Sequence, residues 1–205
     1  MSESPKEQQD LKRLILDTTR RLLVSKGFAS LSMRSIAREM NYSATSIYLH
    51  FKNKDALFHA LIEEGMTLLF ERQRKIAQQY SHNVLERLRA LCDGYIRFGL
   101  DFPEYYEIMF MLHPELTTRF PKESFRRARR NLALMKITLD EGVKQDVVDV
   151  DDTHAATNVM WASLHGAVSI LLARRLEARI NPQDFIENML DNIVRSVAKP
   201  QLSAA

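Results

Sequence analysis

The chain has 205 residues, 45% of them hydrophobic, with 29 Lys and Arg against 26 Asp and Glu and a net charge of +3. That length suits one or two small domains with a sizeable core, and a single cysteine, Cys92, excludes an intrachain disulfide and reads as a buried structural thiol. The opening MSESPKEQQD has no apolar core and so is no signal peptide, and no apolar run reaches the roughly 18 residues that span a bilayer; a cytoplasmic protein with no membrane partner is expected.

After that charged, flexible arm the first long helix is predicted from about Glu7 to Ser25. Its inner stripe is Leu11, Leu14, Ile15, Thr18 and Leu22, and Gly27 ends it as a C-terminal cap residue does. Arg13, Arg20 and Arg21 fall on its polar side and read as solvated charges. Ser32 then caps a short helix in which Met33, Ile36, Ala37 and Met40 recur at helical spacing. Asn41 tolerates the left-handed conformation that a sharp turn needs. Ser43 caps a second short helix, Ala44 to His50, with Ile47 and Phe51 facing inward.

Two short helices with so little between them have helix-turn-helix spacing. The second spans only about 10 Å and starts with small polar residues, so it suits end-on entry into a DNA major groove. Ser43, Ala44, Thr45 and Ser46 then lie nearest the bases, with Arg34 also placed to touch them. Ser32, Tyr48, His50 and Lys54 lie toward the phosphates. Charge agrees with this placement. Between Lys6 and Lys54 there are ten Lys and Arg against four acids, a local +6, while the rest of the chain carries −3. Spacing alone suits a plain αα-hairpin equally well.

The stretches ILDTTRRLLVSKGF, LSMRSIAREM and SIYLHFKNKDALFHALI, from Ile15 to Leu61, closely resemble the DNA-binding domain of the TetR family of transcriptional repressors. The run Tyr48, His50, Phe51, Lys54 is the most recognisable part of the likeness. Where that family usually has Gly, this chain has Asn41, and where it often has Gly, this chain has Thr45. Asn41 still makes the turn; Thr45 puts a side chain where the backbone often approaches DNA.

Beyond Lys54 no strand alternation and no internal repeat is visible, and the few Gly and Pro fall between helical patterns. A long helix from Asp55 to about Gln79 carries Leu57, Phe58, Leu61, Ile62, Met66, Leu69 and Phe70. Another, capped by Ser81 or Asn83, is lined by Leu85, Leu88, Leu91, Cys92, Tyr95, Ile96 and Phe98. Pro103 opens a short helix, PEYYEIMF, at a position where proline is tolerated, with Glu104 and Glu107 facing water. His113 and Pro114 break the pattern before a charged stretch, Glu115 to Arg130. A helix from Glu123 to about Val143 turns Phe125, Leu132, Met135 and Leu139 inward, and Lys144 to Asp152 is a loop.

Asp151, Asp152 and Thr153 suit a helix start. Val159 to Ala173 is then apolar nearly all round, which predicts a helix buried on several sides, against its own core and a partner subunit. Asn181 and Pro182 cap the last helix, whose two stripes are Phe185–Met189–Ile193 and Ile186–Leu190–Val197. One stripe facing the core and one a partner gives a four-helix interface between two chains, with Val168, Leu172, Phe185, Met189 and Ile193 at the contact. A homodimer also suits the reader, since two short helices need half-sites about 34 Å apart or a multiple of that.

Asp101 to Met111 (DFPEYYEIMFM) and Trp161 to Gly166 (WASLHG) resemble the TetR-family subgroup with a Trp-x-x-x-His-Gly C-terminal domain. The resemblance implies a homodimer that binds operator DNA and releases it on binding a small molecule. Phe98, Phe102, Tyr105, Tyr106, Met109, Phe110 and Met111 make the densest aromatic and methionine cluster, with Met135, Trp161 and His165 as companions from later helices. Phe98, Phe102, Tyr106, Met109, Phe110, Met135, Trp161 and His165 are the candidate ligand contacts, suited to a small lipophilic or aromatic effector; ordinary core is the plainer reading of each.

The six histidines show no metal-ligand spacing, and no phosphate loop, nucleophile elbow or acid pair stands out, so an enzyme, a metal and a cofactor are not expected. The reading is an all-α chain. Residues 1–54, with likeness continuing to about 61, form an arm and a three-helix helix-turn-helix domain, and 55–205 form a larger helical effector-binding and dimerisation domain. The expected function is a ligand-responsive repressor on a palindromic double-stranded operator. An effector-independent architectural DNA-binding protein is the alternative.

Overall fold

The computed structural model describes residues 5–111 and 130–200. Among these are nine α-helices, a 3₁₀ turn, a π-helical turn and one isolated antiparallel bridge, Val148 to Ala198. The chain forms two compact units. Residues 5–65 and 104–111 belong to the first, and 66–103 and 130–200 to the second. The break at His113 and Pro114, the expected start of a helix at Glu123 with Phe125 inward, and most of the charged stretch lie outside the described residues.

In the first unit, α1 (Pro5–Lys26) takes in half of the expected arm, with proline at its first turn. Leu11, Ile15, Thr18 and Leu22 are buried as expected, but Leu14 is 42% exposed. The buried face turns the other way, onto Leu16, Thr19 and Leu23. The Thr19 hydroxyl donates to the Ile15 carbonyl at 2.8 Å, which satisfies it inside the core. Gly27 ends the helix at φ +71°, and its amide donates to the Leu23 carbonyl at 2.8 Å.

A 3₁₀ turn, Phe28–Ser30, leads to α2 (Met33–Glu39). Ser32 and Ser35 cap α2 reciprocally: the Ser35 amide donates to the Ser32 hydroxyl at 3.0 Å and the Ser32 amide to the Ser35 hydroxyl at 2.8 Å. Asn41, at φ 57°, makes the turn, and the Tyr42 amide closes it on the Ala37 carbonyl at 2.9 Å. Ser43 accepts from the Ser46 amide to open α3 (Ala44–Tyr48), and Ile47 is fully buried. Leu57, Phe58 and Leu61 from the first half of α4 (Lys54–Gln79) complete this core. Tyr105 and Tyr106 of α6 (Pro103–Tyr106) and Ile108 and Met109 of the π-helical turn (Glu107–Met111) belong to the same unit. Here α4 needs a glycine: a Cβ on Gly65 would lie 2.5 Å from the Met109 sulfur and 3.0 Å from the Tyr105 ring.

In the second unit, α5 (Val84–Asp101) packs against α7 (Arg130–Lys144), α8 (Thr153–Leu172) and α9 (Pro182–Val197), and α8 packs against both α7 and α9. Asn83, Asp152 and Asn181 cap α5, α8 and α9 through their side chains. Leu88, Leu91, Cys92, Ile96, Leu139, Leu164, Val168 and Leu190 are fully buried. Burial pushes the Cys92 thiol up to about 12, so at neutral pH it is a packed apolar group rather than a nucleophile. Arg89 ties α5 to α9 through Glu187 at 2.5 Å and Asp191 at 3.1 Å. At 20 residues α8 is longer than its apolar stretch and, by length and composition alone, reaches what a membrane span requires. Thr157, Asn158, Ser163, His165 and Ser169 are spread along it, and its buried side faces α5, α7 and α9.

Candidate nucleic-acid interface

The helical segment at α3 is longer than its α-helical core. The Leu49 amide donates to the Thr45 carbonyl at 3.1 Å and the Phe51 amide to the Ile47 carbonyl at 2.9 Å, so helical bonding runs through to Phe51. Ile47 and Phe51 face inward, 0% and 4% exposed. At about 100° per residue, the opposite face is Thr45 and Leu49. Ser43 and Thr45 are exposed, Ala44 and Ser46 half-buried. The Ser43 and Ser46 hydroxyls lie 2.9 Å apart, held at the cap. Tyr48 is 52% exposed on the flank. Arg34 is exposed on α2, and Ser32 is exposed with its hydroxyl already committed to the cap. His50 is half-buried, and its Nε2 is enclosed with no hydrogen-bond partner.

Lys54 departs from the expectation. Its ammonium donates to the Phe28 carbonyl at 3.0 Å and sits 3.8 Å from the centre of the Phe28 ring. Phe28 in turn packs edge-on against Phe58 at 4.9 Å. Burial pushes the Lys54 amine below its ordinary value, while the carbonyl and ring stabilise its charge. Lys54 therefore clamps the start of α4 to the turn before α2, with one of its three donors committed there. A sequence pattern places its Cα but not the carbonyl that captures its ammonium.

Within the helix-turn-helix and the turn after it, the basic groups Arg34, Arg38 and Lys52 are exposed and, among the described residues, make no ion pair. Arg38, Lys52, Tyr42 (45% exposed) and Leu49 (77% exposed) were not singled out by the sequence. Helical period would have found Leu49, four residues after Thr45. Arg13 and Arg20, expected to be solvated, are paired instead. Arg13 bonds Asp17 and Glu64, and Arg20 lies 3.2 Å from Asp17, 3.6 Å from Glu104 and 4.8 Å from the Tyr105 ring. Glu104 is thus an ion-pair partner rather than a water-facing acid.

The candidate effector residues divide between the units. Tyr106, Met109 and Phe110 lie in the first, where the Tyr106 and Phe110 rings are 5.0 Å apart. Phe98, Phe102, Met135, Trp161 and His165 lie in the second. There the Trp161 indole donates to the Tyr95 hydroxyl at 3.1 Å and stacks on His165 at 5.5 Å. Burial lowers the His165 pKa below its ordinary value. Of the expected partner-facing residues, Leu172, Phe185 and Met189 are half-buried, and Val168 is 0% and Ile193 6% exposed. Val168 is enclosed within its own unit, while Ile193 sits on the Ile186–Leu190–Val197 side of α9 and at the floor of a groove lined by Val159, Ser163, Phe185 and Met189. The outward apolar residues of α8 are Val159 at 67% and Ile170 at 40% instead.

A capped two-helix motif with a polar, basic outer face, ahead of a separate helical unit, is the arrangement of helix-turn-helix transcriptional regulators. The chain belongs to the TetR family of these regulators, which are not enzymes. Residues 15–61 match the family of bacterial regulatory proteins of tetR type, and residues 88–193 match the tetracyclin repressor-like C-terminal domain. The uncharacterized HTH-type transcriptional regulator YerO of Bacillus subtilis is 24% identical over 205 residues, covering 94% of this chain and 67% of YerO. A protein of unknown function from Rhodococcus sp. RHA1 superposes with a TM-score of 0.81 at 22% identity, covering 96% of this chain and 100% of that one. The ketosteroid transcriptional regulator KstR2 of Mycobacterium tuberculosis gives 0.71 at 17% identity, covering 92% and 95%. At these identities the two structures share the fold.

Proposed function

We propose that this regulator is a cytoplasmic, homodimeric repressor that binds a palindromic operator and leaves it when a small apolar or aromatic effector binds. The observation that carries the DNA-binding part is the exposed face of α3, opposite buried Ile47, in a helix-turn-helix whose basic residues Arg34, Arg38 and Lys52 are exposed and, among the described residues, make no ion pair. A basic rim around a short polar helix suits phosphate contacts at the edge and base contacts at the centre.

Pairing is supported by the outward side of α8 and α9. Val159 and Ile170 flank small Ala162, Ser163 and Gly166, and a Cβ on Gly166 would meet nothing within 4 Å. Small residues between apolar ones let a second helix pair approach closely. The stretch Trp161 to Gly166 supports placement in the Trp-x-x-x-His-Gly subgroup. The aromatic and methionine side chains of both units support an apolar effector, and a ketosteroid regulator with the same fold is in keeping with one. Release follows if effector binds better to a state whose reader spacing no longer matches the operator.

Selection of bound sites from a random duplex pool tests this reading. A palindrome with half-sites about one helical turn or a multiple apart, bound with a steep salt dependence, is the expected result. Enrichment of nothing, or weak binding that survives only at low salt, would sink it. A site that no lipophilic compound releases would leave the architectural alternative in its place.

A further inference from the structure

We propose that Leu49 is a base-reading residue of the α3 segment, and that the group it reads is the 5-methyl of a thymine in the major groove. This rests on the operator-binding reading above and deepens it by assigning a ligand to the apolar end of the reading face.

Leucine normally buries its side chain, yet Leu49 is 77% exposed, more than any other large hydrophobic residue described. A single exposed leucine elsewhere on a protein carries no meaning. Its place here does. The backbone at Leu49 is helical, φ −65° and ψ −28°, and its amide bonds to the Thr45 carbonyl. Thr45 and Leu49 therefore stand one above the other on one face, and that face is opposite the fully buried Ile47. The first turn of this face is hydroxyl-bearing and the second is purely apolar.

The neighbours define what Leu49 can meet. Exposed Tyr48, half-buried His50 and exposed Lys52 are its neighbours in the chain, a mixed aromatic and basic setting rather than the wide apolar patch that holds a protein or a lipid surface. The basic side chains around it match phosphate, and Leu49 has no donor or acceptor for phosphate or for a polar base edge. Of the groups that base edges display in the major groove, the C5 methyl of thymine is the apolar one. Burying a leucine side chain against it removes apolar surface of both from water. Cytosine at that step would present no methyl, and a purine would present polar atoms to a side chain that cannot pair with them.

The test uses the full chain and the duplex that it selects from a random pool. Each thymine of the site is replaced singly, and then in both half-sites, by deoxyuridine, which removes only the 5-methyl group. Affinity is measured at fixed salt for the native chain, for Leu49→Ala and for Thr45→Ser, which keeps the hydroxyl and loses the methyl. One thymine per half-site should be methyl-sensitive. Its replacement should weaken the native chain about fourfold, the worth of one buried methyl, and about 16-fold in both half-sites together. Leu49→Ala should bind thymine and uracil sites alike, while Thr45→Ser keeps the difference. A site indifferent to uracil throughout overturns the proposal and leaves the operator reading standing. Sensitivity that persists in Leu49→Ala, or is lost in Thr45→Ser alone, overturns it by moving the contact to another side chain. A chain that enriches no duplex overturns both.

Discussion

At the scale of single residues, Lys54 shows how a side chain's role is decided by what captures its charge. Its ammonium is held by the Phe28 carbonyl and ring, whereas Lys52, two residues earlier, is exposed without an ion pair. The two should respond oppositely to removal. Lys54→Ala should lower the melting temperature by a few degrees, from the loss of about 1–2 kcal/mol of hydrogen bond and cation–π contact. It should leave the salt slope of DNA binding unchanged. Lys52→Ala should leave melting unchanged and reduce the slope by about 0.9, one phosphate's worth. Thermal melts and salt titrations of the two variants decide it; a reduced slope in Lys54→Ala would return that lysine to the phosphates.

At the scale of elements, α1 is coupled to α4 and α6 by charge as well as by packing. Arg13 bonds both Asp17 and Glu64, and Arg20 reaches Asp17 and Glu104. The Arg13 guanidinium hydrogen-bonded to Asp17 holds that carboxyl below the usual carboxylate range. A carboxyl whose folded pKa is depressed contributes stability that is present above its unfolded value and is lost as pH falls through the lower folded value. Denaturant midpoints should therefore fall as pH is taken below about 4, and Asp17→Asn should flatten that part of the curve. Equal pH dependence in both chains would show that Asp17 titrates alike folded and unfolded. In the second unit, α7 is held near the start of α5 by Gly142. An added Cβ there would overlap the methyls of Val148 and Val84, both stiff β-branched side chains. Gly142→Ala should destabilise by about 1–3 kcal/mol, read as a lower unfolding midpoint; an unchanged midpoint would mean that the loop carrying Val148 yields without cost.

At the scale of the whole molecule, the outward face of α8 and α9 is where the proposed pairing can be broken without touching the core. Ser163 is exposed and lines the groove with Val159 and Met189. Ser163→Arg places a charge where two copies would meet, and it should convert a dimer to a folded monomer by sedimentation while helicity stays unchanged. Operator affinity should fall with it, since one reader alone engages one half-site. A Ser163→Arg chain that sediments as the native chain does would exclude this face from the contact.

Much of this was legible in the chain itself because it is local. The caps at Ser32, Ser43 and Asn181, the turn at Asn41 and the helix end at Gly27 depend on groups within a few residues of the backbone they satisfy, whereas the choice of Asn83 over Ser81 and of Asp152 over its neighbours came from the structure. Helical period likewise placed Ile36, Ala37, Ile47 and Phe51 inside. What sequence alone left undecided is set by partners far along the chain. The tertiary structure turned Leu14 out, gave Lys54 to Phe28, gave Arg13 to Glu64 and Arg20 to Glu104, and buried Val168 within its own unit. Each of these follows from which helix packs against which face, and a helix with apolar residues on several sides does not by itself say which side meets its own core.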